Sequence, residues 1–143
     1  QNSTILMLNT QLKSENKDRR KAEKELHLVN KQLKYLTITD GLTQISNRRH
    51  FDNYLQNECA RLSRTGSLSL ALIICDIDYF KLYNDSYGHQ AGDDCLLRVA
   101  QALRSITKRP SDLAARYGGE EFALVIPQTD VLGAKGVAEQ IHK

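Results

Sequence analysis

The sequence lacks a membrane span: among its 143 residues no apolar run approaches the roughly 18 that a bilayer crossing needs. No signal peptide is evident at its start, so the composition reads as cytoplasmic, with room for an anchor upstream in the parent protein. Cysteine is sparse. Cys59, Cys75 and Cys95 are odd in number and have no CxxC spacing, which argues against a disulfide framework or a thiolate zinc site and implies a reducing compartment. The folded part also has no basic stripe interleaved with aromatics, so nucleic acid is not an expected partner. The net charge of +3 comes from one end: residues 1–36 hold eight Lys/Arg against four Asp/Glu, which reads as a solvated helix face. With 26% charged and 41% hydrophobic residues, the composition is that of an ordinary globular chain with room for one domain and an appendage.

What is present centres on Tyr117-Gly118-Gly119-Glu120-Glu121-Phe122. Two glycines can take positive φ without a Cβ penalty, so they predict a two-residue hairpin turn. Leu113–Tyr117 and Phe122–Ile126 are short apolar or aromatic runs on either side, and Pro127 stops the second. Two adjacent carboxylates at a turn need a counter-charge. Upstream, the apolar run Leu68–Cys75 has strand length and ends in Asp76-Ile77-Asp78, which suits a strand covered on both faces with acids on the rim of the core. If hairpin and strand are neighbours, Asp76 and Glu120 can converge on one hard cation. Mg²⁺, or Mn²⁺ in its place, is held by one or two carboxylates plus substrate phosphates, and that is the donor set on offer.

The run from Asp76 through Lys81, Asn84, Gly88-His89 and Gly92-Asp93 resembles the DxDxFKxxNDxxGHxxGD signature of GGDEF-domain diguanylate cyclases. Gly118–Phe122 is similar to their namesake motif in its GGEEF form. Asp40-Gly41-Leu42-Thr43 with Asn47-Arg48-Arg49 resembles the family's DxLTxLxNRR opening. The resemblance covers residues 37–143. It implies an α/β, ferredoxin-like fold of the nucleotide cyclase and polymerase palm kind. It also implies that the family's domain continues past residue 143 with a further central strand, so that residues 37–143 alone are an incomplete domain and the activity of this chain by itself is left open.

Taken in order, residues 5–36 carry a heptad pattern. Ile5, Leu8, Leu12, Glu15, Arg19, Ala22, Leu26, Val29, Leu33 and Leu36 alternate spacings of three and four, which predicts a parallel coiled coil with a polar stretch at Glu15 and Arg19. The expected partner is a second copy, and an upstream sensor domain is the expected input. Residues 37–41 break the pattern. The resemblance implies that Asp40 and Arg48 brace this joint through a salt bridge. Ser46 or Asn47 caps the next helix, with Phe51, Leu55, Cys59 and Leu62 inward, and Gly66 and Ser67 turn the chain into the strand. A short helix over 79–83 is followed by a polar loop through Gly92. Then comes a helix from Asp93 to about Lys108, with Leu96, Val99, Ala100, Leu103 and Ile106 inward and Asp93 and Asp94 in its first turn. After the hairpin a last helix starts near Thr129 or Asp130, with Val131, Ala134, Ala138 and Ile141 inward.

The implied reaction joins two GTP molecules into cyclic di-GMP with release of two pyrophosphates, in a dimer. By resemblance, Asp76, Glu120 and the Ile77 carbonyl hold the metal. Glu121, or Glu120 itself, accepts the hydroxyl proton. Asn84 and Asp93 read guanine; His89 and Phe80 lie at the nucleotide, and Lys81 stabilises phosphate charge. Arg109 and Asp112 form an RxxD pair ahead of the turn that matches the family's product-inhibition site, where arginine clasps cyclic di-GMP. The alternative is a domain of the same fold that binds GTP or cyclic di-GMP without catalysing. Both glutamates of the turn are present here, and degenerate members usually lose theirs.

Overall fold

The computed structural model describes residues 2–66 and 69–142. Ser67, expected in a turn, and Leu68, expected to open the apolar strand, lie outside the described residues, as does the Ile5 side chain. The chain divides into two units, Gln1–Thr37 and Ile38–Lys143.

The first unit is a single helix, α1, Asn2–Ile38, which ends slightly beyond the expected boundary. Its span contains no glycine or proline, the residues that most disfavour helix. Leu26, Val29, Leu33 and Leu36 on it are all exposed.

In the second unit β1 (Ser46–Asn47), α2 (Arg48–Thr65), β2 (Leu70–Asp76), α3 (Phe80–Tyr87), α4 (His89–Ile106), β3 (Leu113–Arg116), β4 (Glu121–Pro127) and α5 (Val131–Ile141) follow one another. From β2 onward this is the expected β-α-α-β-β-α order. The strands form one sheet in the order β1-β3-β4-β2. The two-residue β1, not expected from the sequence, pairs parallel with β3, while β4 pairs antiparallel with both β3 and β2.

β4 is the strand covered on both faces. Side chains alternate across a strand, and here Phe122, Leu124 and Ile126 enter one core with Leu96, Ala100 and Leu103 of α4, whereas Ala123 and Val125 enter another with Phe51 of α2. β2, which the unbroken apolar run placed in that role, is instead at the sheet edge. Ala71 is buried, but Leu72 and Ile74 on the opposite face are exposed.

Helix boundaries follow their caps. The Asn47 side chain accepts from the His50 N–H (2.9 Å) and starts α2, and Gly66 at φ 68° ends it. The Asp130 side chain accepts from the Gly133 N–H (2.8 Å) and starts α5. Gly88 at φ 87° separates α3 from α4, so helix occupies most of the expected polar loop. His89 is therefore helical, and Asp93 stands in the second turn of α4, where it does not cap. The inward stripes differ in detail. Cys59, Val131 and Ala138 are exposed, and Val137 joins Ala134 and Ile141 against the core. Among the described residues no helix is long and apolar enough to cross a membrane.

Candidate active site

The β2–β4 ladder brings the two acidic motifs together. Asp76 is the cross-strand partner of Glu121, and one residue on, the Ile77 N–H donates to the Glu120 carbonyl (3.3 Å). Asp76, Glu120 and Glu121 thus share one end of the sheet, fixed by backbone pairing. Among the described residues none of the three carboxylates makes an ion pair.

The turn itself differs from expectation. Tyr117 and Gly118 N–H groups both donate to the Glu121 carbonyl (2.8 and 3.2 Å), which closes a three-residue loop of Gly118, Gly119 and Glu120. A loop of that length does not need a two-residue primed turn, and neither glycine has positive φ. Gly118 answers to a close approach instead. A Cβ there would lie 2.5 Å from Glu121 Oε2, which folds back over it.

Arg116, not singled out in the sequence, fastens this loop from below. Its Nε donates to the carbonyls of Gly118 (3.2 Å) and Gly119 (3.0 Å), one Nη to Gly119 (2.8 Å) and the other to Asp40 Oδ1 (3.2 Å). The expected Asp40–Arg48 pair is replaced. Arg48 stacks over the Tyr117 ring, 4.4 Å from its centroid, and approaches Asp52 at 3.9 Å. Arg116 and Asp40 are the better shielded pair, with side chains 19% and 23% exposed. Burial alone would raise the Asp40 carboxyl, but the Thr43 N–H (2.8 Å), the Thr43 hydroxyl (2.7 Å) and Arg116 outweigh it and hold the pKa below its ordinary value. The one available signal was a lone cation closing an otherwise small, apolar run two residues before the glycines.

Beyond Asp76 the chain turns sharply. Tyr79 sits in the left-handed region (φ 57°, ψ 25°), and the Phe80 N–H donates back to the Ile77 carbonyl (3.3 Å). Phe80, expected at the nucleotide, is buried in the larger core. Lys81 is exposed in the first turn of α3, and His89 is exposed at the start of α4. Asn84 reaches across to α4: a Cβ on Gly92 would overlap its Oδ1. That oxygen is buried and has no hydrogen-bond partner among the described residues, and Asp93 follows Gly92 directly. Asn84 therefore meets α4 at Gly92, one residue before Asp93 in the chain.

Cys75 lines a cleft of about 270 Å³ behind Asp76, with Leu103, Ile106 and Ile141. Burial first, and the Asp76 charge second, push its thiol up, so it stands as a neutral donor to the Phe122 carbonyl (3.6 Å). The RxxD pair forms its own turn at the other end of β3. The Asp112 N–H donates to the Arg109 carbonyl (2.9 Å), Asp112 Oδ2 accepts from the Arg109 N–H (3.0 Å), and the Arg109 guanidinium reaches the Pro127 carbonyl (3.4 Å).

The donors at the sheet end fit a hard divalent cation. Among the described residues no group of three or more His, Cys, Asp or Glu side chains is arranged to hold a metal. What the sheet end offers is donor chemistry: Asp76, Glu120 and the Ile77 carbonyl supply only oxygen, the type that suits Mg²⁺, an ion that keeps waters and takes its remaining ligands from phosphates.

Comparison with known proteins identifies the family of residues 37–143. The family model described as diguanylate cyclase, GGDEF domain, matches residues 37–143. Diguanylate cyclase A of Treponema denticola is 40% identical over 116 residues, 80% of this chain and 31% of that protein. The chain spans about a third of the length of curated relatives that it matches. Among solved structures, the coiled coil and GGDEF domain of DgcB from Caulobacter crescentus, in complex with c-di-GMP, superposes with a TM-score of 0.82. That match is at 34% identity and covers 91% of this chain and 67% of that one. SiaD of Pseudomonas aeruginosa, a diguanylate cyclase in complex with its activator SiaC, gives 0.71 at 35% identity over 97% of this chain and 54% of that one.

Proposed function

The chain belongs to the GGDEF-domain diguanylate cyclase family, and from that premise we propose that it condenses two GTP molecules into cyclic di-GMP and two pyrophosphates, as a dimer subject to product inhibition. The observation that carries the reading is the pairing of Asp76 against Glu121 with the Glu120 carbonyl on the Ile77 N–H. It sets an uncompensated group of carboxylates where a triphosphate and its cation are to be held. Asp76, Glu120 and the Ile77 carbonyl hold Mg²⁺ or Mn²⁺, which when bound neutralises phosphate charge and favours in-line displacement.

Each 3′-hydroxyl attacks the α-phosphorus of the other nucleotide. A new P–O bond forms, the bond to pyrophosphate breaks, and the hydroxyl proton passes to a carboxylate at the hairpin. Glu121, which opens β4, and Glu120 of the loop are the two candidates. Arg116 holds the loop carbonyls in place so that these carboxylates need not be ordered at the moment of reaction. Lys81 stabilises charge on the phosphates. At the base end the unpartnered Asn84 Oδ1 is an acceptor waiting for the N–H edge of guanine, and Asp93 is the second reader. Adenine there would leave this oxygen unpaired. Arg109 and Asp112 take up cyclic di-GMP at a separate site.

Each domain holds one nucleotide, so two must face each other, and the heptad pattern of α1 supplies the pairing. The test is to incubate full-length protein with GTP and Mg²⁺ beside Glu120→Ala. Cyclic di-GMP from the natural sequence and none from a folded Glu120→Ala is expected. GTP binding without product at every protein concentration would leave a nucleotide-binding module.

A further inference from the structure

The charges of α1 are sorted by heptad position. With Leu12, Arg19, Leu26 and Leu33 at a and Leu8, Glu15, Ala22, Val29 and Leu36 at d, every acid of the helix lies on the seam or beside it: Glu15 at d, Asp18 and Glu25 at g, Glu23 at e. The cations do the reverse. Lys13, Lys17, Arg20, Lys21, Lys24, Lys31 and Lys34 fall at b, c and f, on the outer side. Arg19 is the one cation at a seam position. A solvated helix with no partner has no reason to divide its charges this way.

An a-position side chain of a parallel, in-register pair packs into a hole of four residues on the other helix, its preceding d and g, the same a and the following d. For Arg19 those residues are Glu15, Asp18, Arg19 and Ala22 of the second copy, so each guanidinium meets two acids across the seam as well as its own like charge. Within its own helix Arg19 Nε already meets Glu23 (3.5 Å), and the side chain is 71% exposed, so further guanidinium donors can reach across. Other registers lose most of the match, because a one-heptad slide leaves a single acid, Glu25, at the preceding d and g positions opposite the two Arg19 side chains. Sliding the second helix by one heptad sets Arg19 against Leu8, Gln11 and Leu12, or against Ala22, Glu25 and Leu26. An antiparallel pair that matches Glu15 to Arg19 leaves Leu33 and Leu36 without seam partners.

We propose that Glu15, Asp18 and Arg19 form a charged lock with a second copy of this chain, fixing the parallel, in-register alignment of α1. The proposal rests on the dimeric reading above and refines it. The apolar residues on either side of the layer supply affinity but would tolerate a slip. The lock supplies discrimination, because three acids per helix crowd one layer and only Arg19 offsets them. An in-register pair brings both domains to equivalent positions, which a reaction between two identical half-sites requires.

The test uses charge exchange on the full chain, with self-association followed by sedimentation equilibrium and helix content by circular dichroism. Arg19→Glu alone, and Glu15→Lys with Asp18→Lys in one chain, should each self-associate roughly thirtyfold more weakly, since four cross-helix contacts change sign. Mixing the two variants should restore pairing, because each new charge then faces its opposite. A nitroxide at Lys31→Cys, in a Cys59→Ser background, distinguishes the alignments. A parallel in-register pair holds the two labels within about 25 Å, and the antiparallel alternative separates them by about 40 Å.

Association of Arg19→Glu equal to that of the natural sequence, no recovery on mixing, or the longer distance would each overturn the lock while leaving a paired enzyme. Absence of self-association in the natural sequence would overturn the dimer and the lock together, and cyclic di-GMP formation would still report on the catalytic reading.

Discussion

Replacing Gly92 with alanine should separate guanine recognition from stability. Gly92 is buried in the first turns of α4, and its φ is not left-handed, so the backbone itself accepts alanine. Removing a helical glycine is worth about 1 kcal/mol in favour of the fold. Against that, the new methyl would overlap Asn84 Oδ1 and lie 2.9 Å from Cγ. The amide must retreat by more than about 1 Å to reach ordinary contact, at a rotamer cost of about 1 kcal/mol. The two effects cancel, and the melting temperature should stay within a few degrees. Recognition has no such compensation. With the Asn84 oxygen displaced, a guanine donor is left unpaired in a closed site, a loss of about 1–3 kcal/mol, or roughly 5- to 150-fold in kcat/KM. Initial rates of cyclic di-GMP formation over a range of GTP concentrations, with thermal melts on the same samples, measure both. Asn84→Ala should lose about as much, and the double variant little more, because both changes remove one interaction. An unchanged kcat/KM for Gly92→Ala, or fully additive losses, would refute the assignment of Asn84 to the base. A stability loss of several kcal/mol would refute the claim that Asn84 yields easily.

Arg116→Met should destabilise the domain by about 2–3 kcal/mol in denaturant melts, because it leaves the shielded Asp40 carboxylate without its cation and the loop carbonyls without their donor; full stability would mean that the loop is held by its strands alone. Arg109→Ala should relieve inhibition by cyclic di-GMP and leave initial rates intact, and unchanged inhibition would show the RxxD turn idle. Burial holds the His50 pKa below its ordinary 6.5, so the unfolded chain takes up that proton first and stability declines as pH falls through 6.5. His50→Gln should remove that part of the decline, seen as urea midpoints at pH 7.5 and 5.5 that lie closer together than in the natural sequence. Asp40, held below 3.8, contributes stability that is complete above that value and lost only at more acid pH.

The parts of the site that composition decides were legible in the sequence. Two glycines before two acids, and an apolar run ending in Asp76, can be read without knowing what packs where, and the ladder sets them side by side. Placement within the sheet was not legible. Leu70–Cys75 and Phe122–Ile126 look alike as apolar runs, and only the strand order makes one an edge and the other the centre. The α3–α4 junction was hidden because Gly88 and Gly92 stand among the same polar residues. One breaks the helix with a positive φ, while the other lies inside it to admit the Asn84 side chain. The Arg48 assignment failed for a different reason. Arg116 lies 76 residues from Asp40, and no local pattern announces a partner that distant.

The same distinction bears on Phe80, which the resemblance set at the nucleotide and which the fold buries. The end of the site proposed for the metal is carried by strands and the end proposed for the base by helices, and only Ile77, Asp78 and Tyr79 join β2 to α3. A left-handed tyrosine is unfavourable by about 1–2 kcal/mol. Tyr79 is 83% exposed, so its own packing does not offset that strain. The compensation lies one residue on. Phe80 is 8% exposed within the core, and its N–H closes the turn on the Ile77 carbonyl. Burying a phenylalanine is worth about 1.5–3 kcal/mol, enough to hold the turn in place. Phe80 therefore sets a spacing: it fixes how far the carboxylates of the sheet end stand from the start of α3 and from Asn84 on it.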